Sequence, residues 1–455
     1  MSRSVFAGSL LLVLAACGGD DGGCPECVDD AGGIDGGTLD SGVDLGARSD
    51  AGSDQDGGAS DAGVPTDAFV ATDAFVEPDA FVATDAFVEP DAFMEPDGGM
   101  GWTACAGGTG DHTVVTGVQP GLPRVLWTGS DYAIGHFRKP TAGLPARESY
   151  VGRVDAMGTV TSVPTMVTPD DGELSIWVRL ARSATGFGVI YLDDRGATRQ
   201  AYFARLDDTG ALVAGSELHL SDAADTIYVH AIAYNPIDRE YGVSWVNADS
   251  EIHFARISEA GVLLPAPGST SVVDDGDYGY TGTPLIWADD HYAIVSTPFG
   301  VTEIAANGMV TRSGDIEAGT VLNRPAIAWS GTEYGVVWRQ PSDQSIRFTR
   351  VDATGRVSGS ERTLHPGPWA GEPDIVWADT NEWGVVWNVG SASDPYDIHF
   401  ARLAPDGTTR ANSAVVSGPV TDWWPQLTWC GQYAIVYQHG QTGVDEVGEL
   451  HLFFP

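Results

Sequence analysis

The chain has 455 residues, with 63 acidic side chains against 23 Lys and Arg, for a formal net charge of −40. So large a negative excess argues against nucleic acid or an anionic lipid surface as a direct partner of the protein surface. The charge and the Gly, Pro and aromatic residues are unevenly distributed, and this unevenness divides the chain.

Residues 1–16 read as a targeting segment. Arg3 gives a positive start, and Val5 to Ala16 is an apolar run too short to span a bilayer. It ends in Leu14-Ala15-Ala16-Cys17, which resembles the lipobox of bacterial lipoproteins; an ordinary secretory signal with an incidental Cys17 is the alternative. The resemblance implies cleavage before Cys17 and acylation of that residue. Gly18, where inner-membrane lipoproteins usually carry Asp, implies passage to the outer membrane.

From residue 18 to 101, 21 acidic side chains face a single base, Arg48. Hexads of the type Asp-Ala-Phe-Val-Glu-Pro begin at Asp67, Asp73, Asp79, Asp85 and Asp91. Charge repulsion and the prolines oppose collapse, so residues 17–101 are expected to form a lipid anchor and a disordered acidic stalk. One Phe per hexad leaves open a docking role. Cys24 and Cys27 form a lone Cys-x-x-Cys without βαβ context or a second ligand pair, which fits a local or intermolecular disulfide better than a redox or zinc site.

Residues 102–455 carry a repeat. Its clearest copy is Pro325-Ala-Ile-Ala-Trp329, a polar turn, Tyr334-Gly-Val-Val-Trp338, a loop, then Ile346-Arg-Phe-Thr-Arg-Val-Asp352, closing at Gly355. Each run alternates with period two between turn residues, as strands with one buried face do. Aligning the first-strand aromatic gives Trp127, Trp177, Tyr234, Trp287, Trp329, Trp377 and Trp429. Four short strands per repeat, seven times over, predict an all-β fold: a seven-bladed β-propeller of four-stranded antiparallel blades. A sandwich array or solenoid is the alternative. The last repeat ends after a third strand at Leu450–Pro455, while His112–Gly117 looks like an orphan fourth strand. Pairing the two closes the ring and removes its edges. Cys105 and Cys430 then fall on one side of that blade and are expected to bond; two unrelated buried thiols are the alternative.

Lipobox, stalk and blade series together resemble a bacterial envelope lipoprotein displaying a propeller on a tether. The Trp-Asp ending of WD40 blades, the Gly-Gly of kelch and the Ser-x-Asp-x-Gly-x-x-Trp box of sialidase-like repeats are absent. No functional residues of a propeller family carry over.

The connections between strands one and two, and three and four, read mostly as tight turns. The other two classes are longer and open on one face of the disc, the long-loop face. It is expected to gather Asp225, Tyr278, Tyr280, Trp369, Tyr396, Trp423 and Trp424, the three Trp standing in loops that enter the next blade. Aromatic platforms beside carboxylates suit a glycan, a peptide or an envelope protein; the alternatives are a polysaccharide hydrolase or lyase using carboxylates there, or a structural scaffold. Asp274, Asp275 and Asp277 would suit calcium, although no closing Glu completes an EF-hand loop. No transition-metal spacing or catalytic fingerprint occurs, so no cofactor and no catalytic residue is expected. The recurring Arg153, Arg205, Arg256, Arg350 and Arg402 keep blade register, which points to structural ion pairs or hydrogen bonds to a neighbouring blade.

Overall fold

The computed structural model describes residues 104–455 except 106, 141–145, 170, 266–270, 276–283, 315, 317–321, 392–394 and 441–446. Cys17, Cys24, Cys27 and the acidic stretch lie outside the described residues, as do Asp277, Tyr278 and Tyr280.

Among those residues the structure is all strand, arranged as seven antiparallel four-stranded blades. The innermost strands are the second half of Gly110–Trp127, then Ser175–Ser183, Val229–Asn235, Leu285–Ala288, Asn323–Trp329, Ala370–Ala378 and Asp422–Trp429. Each is followed outward by its second, third and fourth strands in sequence order, as Asn323–Trp329 is by Glu333–Arg339, Ile346–Asp352 and Arg362–His365. Blade 7 takes its fourth strand from the other end of the domain. The first half of Gly110–Trp127 pairs with Val447–Phe454, from Gly110 opposite Phe454 to Val118 opposite Val447. One long strand thus serves two blades, and the closure expected from the orphan strand is present.

Cys105 and Cys430 are bonded, as expected, and the Cys105 N–H donates to the Cys430 carbonyl at 2.6 Å. The Tyr132 hydroxyl lies 3.2 and 3.0 Å from the two sulfurs.

The repeated Tyr-Gly-Val of the second strand has a packing reason. Tyr334 and Trp338, four residues apart on one pleat face, are both buried. The glycine between them makes room for the next blade. A Cβ on Gly335 would stand 2.6 Å from the Trp383 ring, one on Gly242 2.4 Å from Tyr292, and one on Gly384 2.3 Å from Tyr433. In blades 3, 5 and 6 the leading aromatic of the next blade therefore docks on bare glycine backbone, whereas blades 1, 4 and 7 carry Ala133, Ala293 and Ala434 at this position.

Within a blade, an aromatic at or next to the end of strand one faces the first aromatic of strand two. Trp127 meets Tyr132, Trp329 meets Tyr334 and Trp377 meets Trp383, with ring centroids 4.5–4.9 Å apart. Blade 2 corrects the alignment made from sequence. The residue opposite Phe187 is Arg182, not Trp177, and its guanidinium covers the ring at 4.9 Å. A cation–π contact replaces the aromatic pair, and Trp177 stands five residues earlier in a bulge.

The recurring third-strand arginines do both things expected of them. Arg153, Arg256, Arg350 and Arg402 pair with the acid at or just before the start of their own second strand, Asp131, Glu240, Glu333 and Glu382. Arg153 also donates to the Asp208 carbonyl of blade 2 at 2.9 Å, and Arg256 to that of Asn307 in blade 4 at 2.8 Å. Tyr433 of blade 7 closes a similar link by donating to Glu382 of blade 6 at 3.1 Å.

Candidate functional site: the channel and its long-loop mouth

The innermost strands surround a central cavity of about 230 Å³. Five of them, in blades 1, 2, 5, 6 and 7, hold one extra residue near their entrance, seen as register shifts at 121/124, 176/179, 323/326, 371/374 and 423/426. In each bulge one residue takes a left-handed backbone: Leu122, Trp177, Arg324, Glu372 and Trp424. Proline follows in four of the five, as Pro123, Pro325, Pro373 and Pro425, where no ladder N–H is required. Because strand side chains alternate, one extra residue reassigns the faces of the residues around it.

Just past the bulges lies one tier of equivalent positions, each three residues before the one opposite the second-strand aromatic. In blade order it reads Arg124, Arg179, Ala231, Pro284, Ala326, Asp374 and Gln426. Its polar members belong to blades 6, 7, 1 and 2 and so form a continuous arc; its small apolar members belong to blades 3, 4 and 5. Arg124, Arg179, Asp374 and Gln426 all line the cavity and are all buried. The positions beyond, from Val125 and Leu180 to Ile375 and Leu427, are apolar.

Burial, and then the neighbouring Arg179 guanidinium, pull Arg124 well below its ordinary pKa, while Asp374 acts in the opposite direction. His230, in the adjoining strand of blade 3, donates from Nε2 to the Trp177 carbonyl at 2.6 Å. Burial, and next Arg179, hold its imidazole well below the usual range, so it is neutral. At the mouth, Arg324 of blade 5 and Glu372 of blade 6 form an ion pair.

Around this mouth the expected aromatic residues divide into two groups. Trp423 and Trp424 are inside the first strand of blade 7, not in the loop before it, with Trp423 paired to Gln438. Tyr396 packs on Trp423 at 4.9 Å and Trp423 on Trp424 at 5.8 Å, so these three form one half-buried cluster. Trp424 also rests, with Trp177, on the core group that contains Leu122. Trp369 does stand in the loop entering blade 6, partly exposed, with its backbone N–H donating to the Gln344 side-chain oxygen at 3.1 Å. No ring contact joins Trp369 to the cluster among the described residues. Asp225 is half-buried in the loop from blade 2 to blade 3, where its carbonyl accepts from Thr198 and Gln200 at 2.7 and 2.6 Å. Asp274 and Asp275 end the fourth strand of blade 3, and among the described residues no group of three His, Cys, Asp or Glu is placed to hold a metal ion.

Sequence reasoning passed over Arg124, Arg179 and Asp374. Their signal was local, a polar residue following the bulge dipeptide in Leu122-Pro-Arg124, Trp177-Val-Arg179 and Glu372-Pro-Asp374.

Fold and channel define a class: a seven-bladed β-propeller closed by its own first strand, with a charged tier near one mouth of the axial cavity. No protein-family model matches the chain, and no curated protein matches it in sequence. Solved structures similar to it include BamB from Moraxella catarrhalis, 14% identical over 77% of this chain and 93% of that one, with a TM-score of 0.41. The β-propeller domain of the Trilobed protease from Pyrococcus furiosus is 9% identical over 72% and 94%, with a TM-score of 0.46. Trypanosoma rangeli sialidase is 8% identical over 74% and 55%, with a TM-score of 0.42. At such identities they say nothing of ligand or activity.

Proposed function

We propose that this chain is a lipid-anchored envelope protein whose propeller recognises a glycan, a peptide or an envelope protein through its long-loop face. The anchoring part rests on the sequence. Leu14-Ala15-Ala16-Cys17 supplies the acylation site, residues 17–101 the anchor and spacer, and residues 102–455 the propeller. Gly18 favours the outer membrane.

The aromatic cluster beside the channel mouth carries the binding part. One face carries tight turns such as Ser330–Glu333 and Asp352–Gly355, whose hydrogen bonds are satisfied within the turn, together with longer connections such as that from Asp207 to Leu218. The other holds the half-buried Tyr396, Trp423 and Trp424 and the mouth nearest the charged tier. Binding residues concentrate on loops held by a rigid scaffold, and large rings give contact area at little entropy cost. Hydrolysis by paired carboxyl groups finds less support, because Asp374 is the one carboxylate among the described residues lining the cavity.

The test is capture of glycans and envelope extract by the full chain beside a Tyr396→Ser/Trp423→Ser variant. Capture should be lost while the variant still unfolds cooperatively, at a melting temperature lowered by the lost ring packing; equal capture by the variant overturns the assignment of the face. A Cys17→Ser variant should lose incorporation of labelled fatty acid and leave the membrane fraction.

A further inference from the structure

We infer that the polar arc of the channel tier binds the carboxylate of a small organic acid, with Arg124 as the main recognising side chain. This rests on the long-loop face being the recognition face, and it names the chemistry of a ligand there.

The argument starts from Arg124, which is 9% exposed and lines the cavity. A guanidinium has five N–H donors. Among the described residues its protein hydrogen bond is from Nη1 to the carbonyl of its own neighbour Pro123, at 3.2 Å, and its Nε has no partner. Among the described residues no carboxylate forms an ion pair with it. A buried charge left in this state is costly, so a buried arginine normally has an anion beside it.

The surroundings fix the sign and size of that anion. Arg124 and Arg179 bring two positive charges to the arc and Asp374 one negative charge, with one Asp374 oxygen accepting the Leu427 N–H at 3.0 Å. His230 is neutral, and the nearby Arg324–Glu372 pair cancels itself. Among the described side chains lining the cavity this leaves one net positive charge, which a monoanion neutralises. A dianion such as phosphate would face the Asp374 carboxylate with surplus charge. A carboxylate also matches the planar fork of a guanidinium with two parallel acceptors. Opposite the arc, Ala231 and Pro284 are small and apolar, leaving space for the body of the ligand. The cavity has room for several waters, or a small acid in their place.

Thermal unfolding of the full chain tests this, with acetate, lactate, benzoate or inorganic phosphate as probe and chloride at equal ionic strength as reference. A carboxylate should raise the wild-type Tm saturably, as a ligand of the native state does. Arg124→Met should weaken that effect about tenfold or more. Its own Tm without probe should not fall, since the substitution removes an unpaired buried charge. Arg124→Lys keeps the charge without the fork and should bind more weakly than wild type; it carries the test if Arg124→Met does not fold. The inference is overturned if no carboxylate raises the wild-type Tm, if the rise survives Arg124→Met or is equal in Arg124→Lys, or if phosphate acts more strongly. If no carboxylate binds while capture through Trp423 persists, the channel inference falls and the face assignment stands. Carboxylate binding without capture supports the channel site and removes the face.

Discussion

Cys105 and Cys430, separated by 325 residues, are joined with their Cα atoms 5.3 Å apart at the seam where the propeller closes on itself. The bond ties the chain just before the closing strand to the end of the first strand of blade 7. It fixes the strand that blade 7 takes from the other end of the domain.

Breaking this tie should release the seam. A Cys105→Ser/Cys430→Ser variant is expected to lose about 2–5 kcal/mol, the usual range for a native disulfide. Deleting residues 102–118 should cost more, because it also removes the fourth strand of blade 7. Denaturant unfolding of both beside a deletion of residues 18–101 checks the order: the stalk deletion should melt like wild type.

The glycine seats give a second expectation. Gly384→Ala places a methyl group against the Tyr433 ring and should destabilise by about 1–3 kcal/mol, the range for an overpacked core. Gly418→Ala has open space around it and should be near neutral. Equal effects in chemical denaturation would mean that the blades are not seated through the bare glycine backbone.

Trp377 and Trp177 separate the two registers of strand one. Trp377 is buried against Trp383, so Trp377→Ala should cost about 3–5 kcal/mol. Trp177, in a bulge and partly exposed, should cost distinctly less. A larger loss at Trp177 would restore the alignment that the structure corrects.

Glu148 predicts a pH dependence. Burial raises its carboxyl pKa to about 7, outweighing the Thr168 hydroxyl that donates to it at 2.7 Å. The folded state therefore holds the proton more tightly than the unfolded chain, whose carboxyl titrates near its ordinary 4.5. Its contribution to stability is complete below that value and declines as pH rises through about 7. Glu148→Gln, which cannot ionise, should match wild type near pH 4 and exceed it at pH 8. Melting curves across that interval check the sign, and a variant less stable at pH 8 would contradict it.

The sequence by itself determined the blade series, because alternation and turn residues are local signals repeated every few dozen positions. It also determined the closure. A last repeat lacking a fourth strand and an orphan strand before the first repeat, each with a cysteine, leave one economical pairing. The lipobox at Cys17 remains a reading of sequence alone. What only the tertiary structure decided is what depends on neighbours remote in the chain. The first-strand position opposite Phe187 is Arg182 because a guanidinium can cover a ring as an indole does, a substitution that an aromatic alignment passes over. The entrance bulges shift strand faces by one residue, a change that apolar periodicity does not record. Arg124, Arg179 and Asp374 share one tier although up to 250 residues separate them, since the ring brings blades 6, 7, 1 and 2 side by side only after it closes.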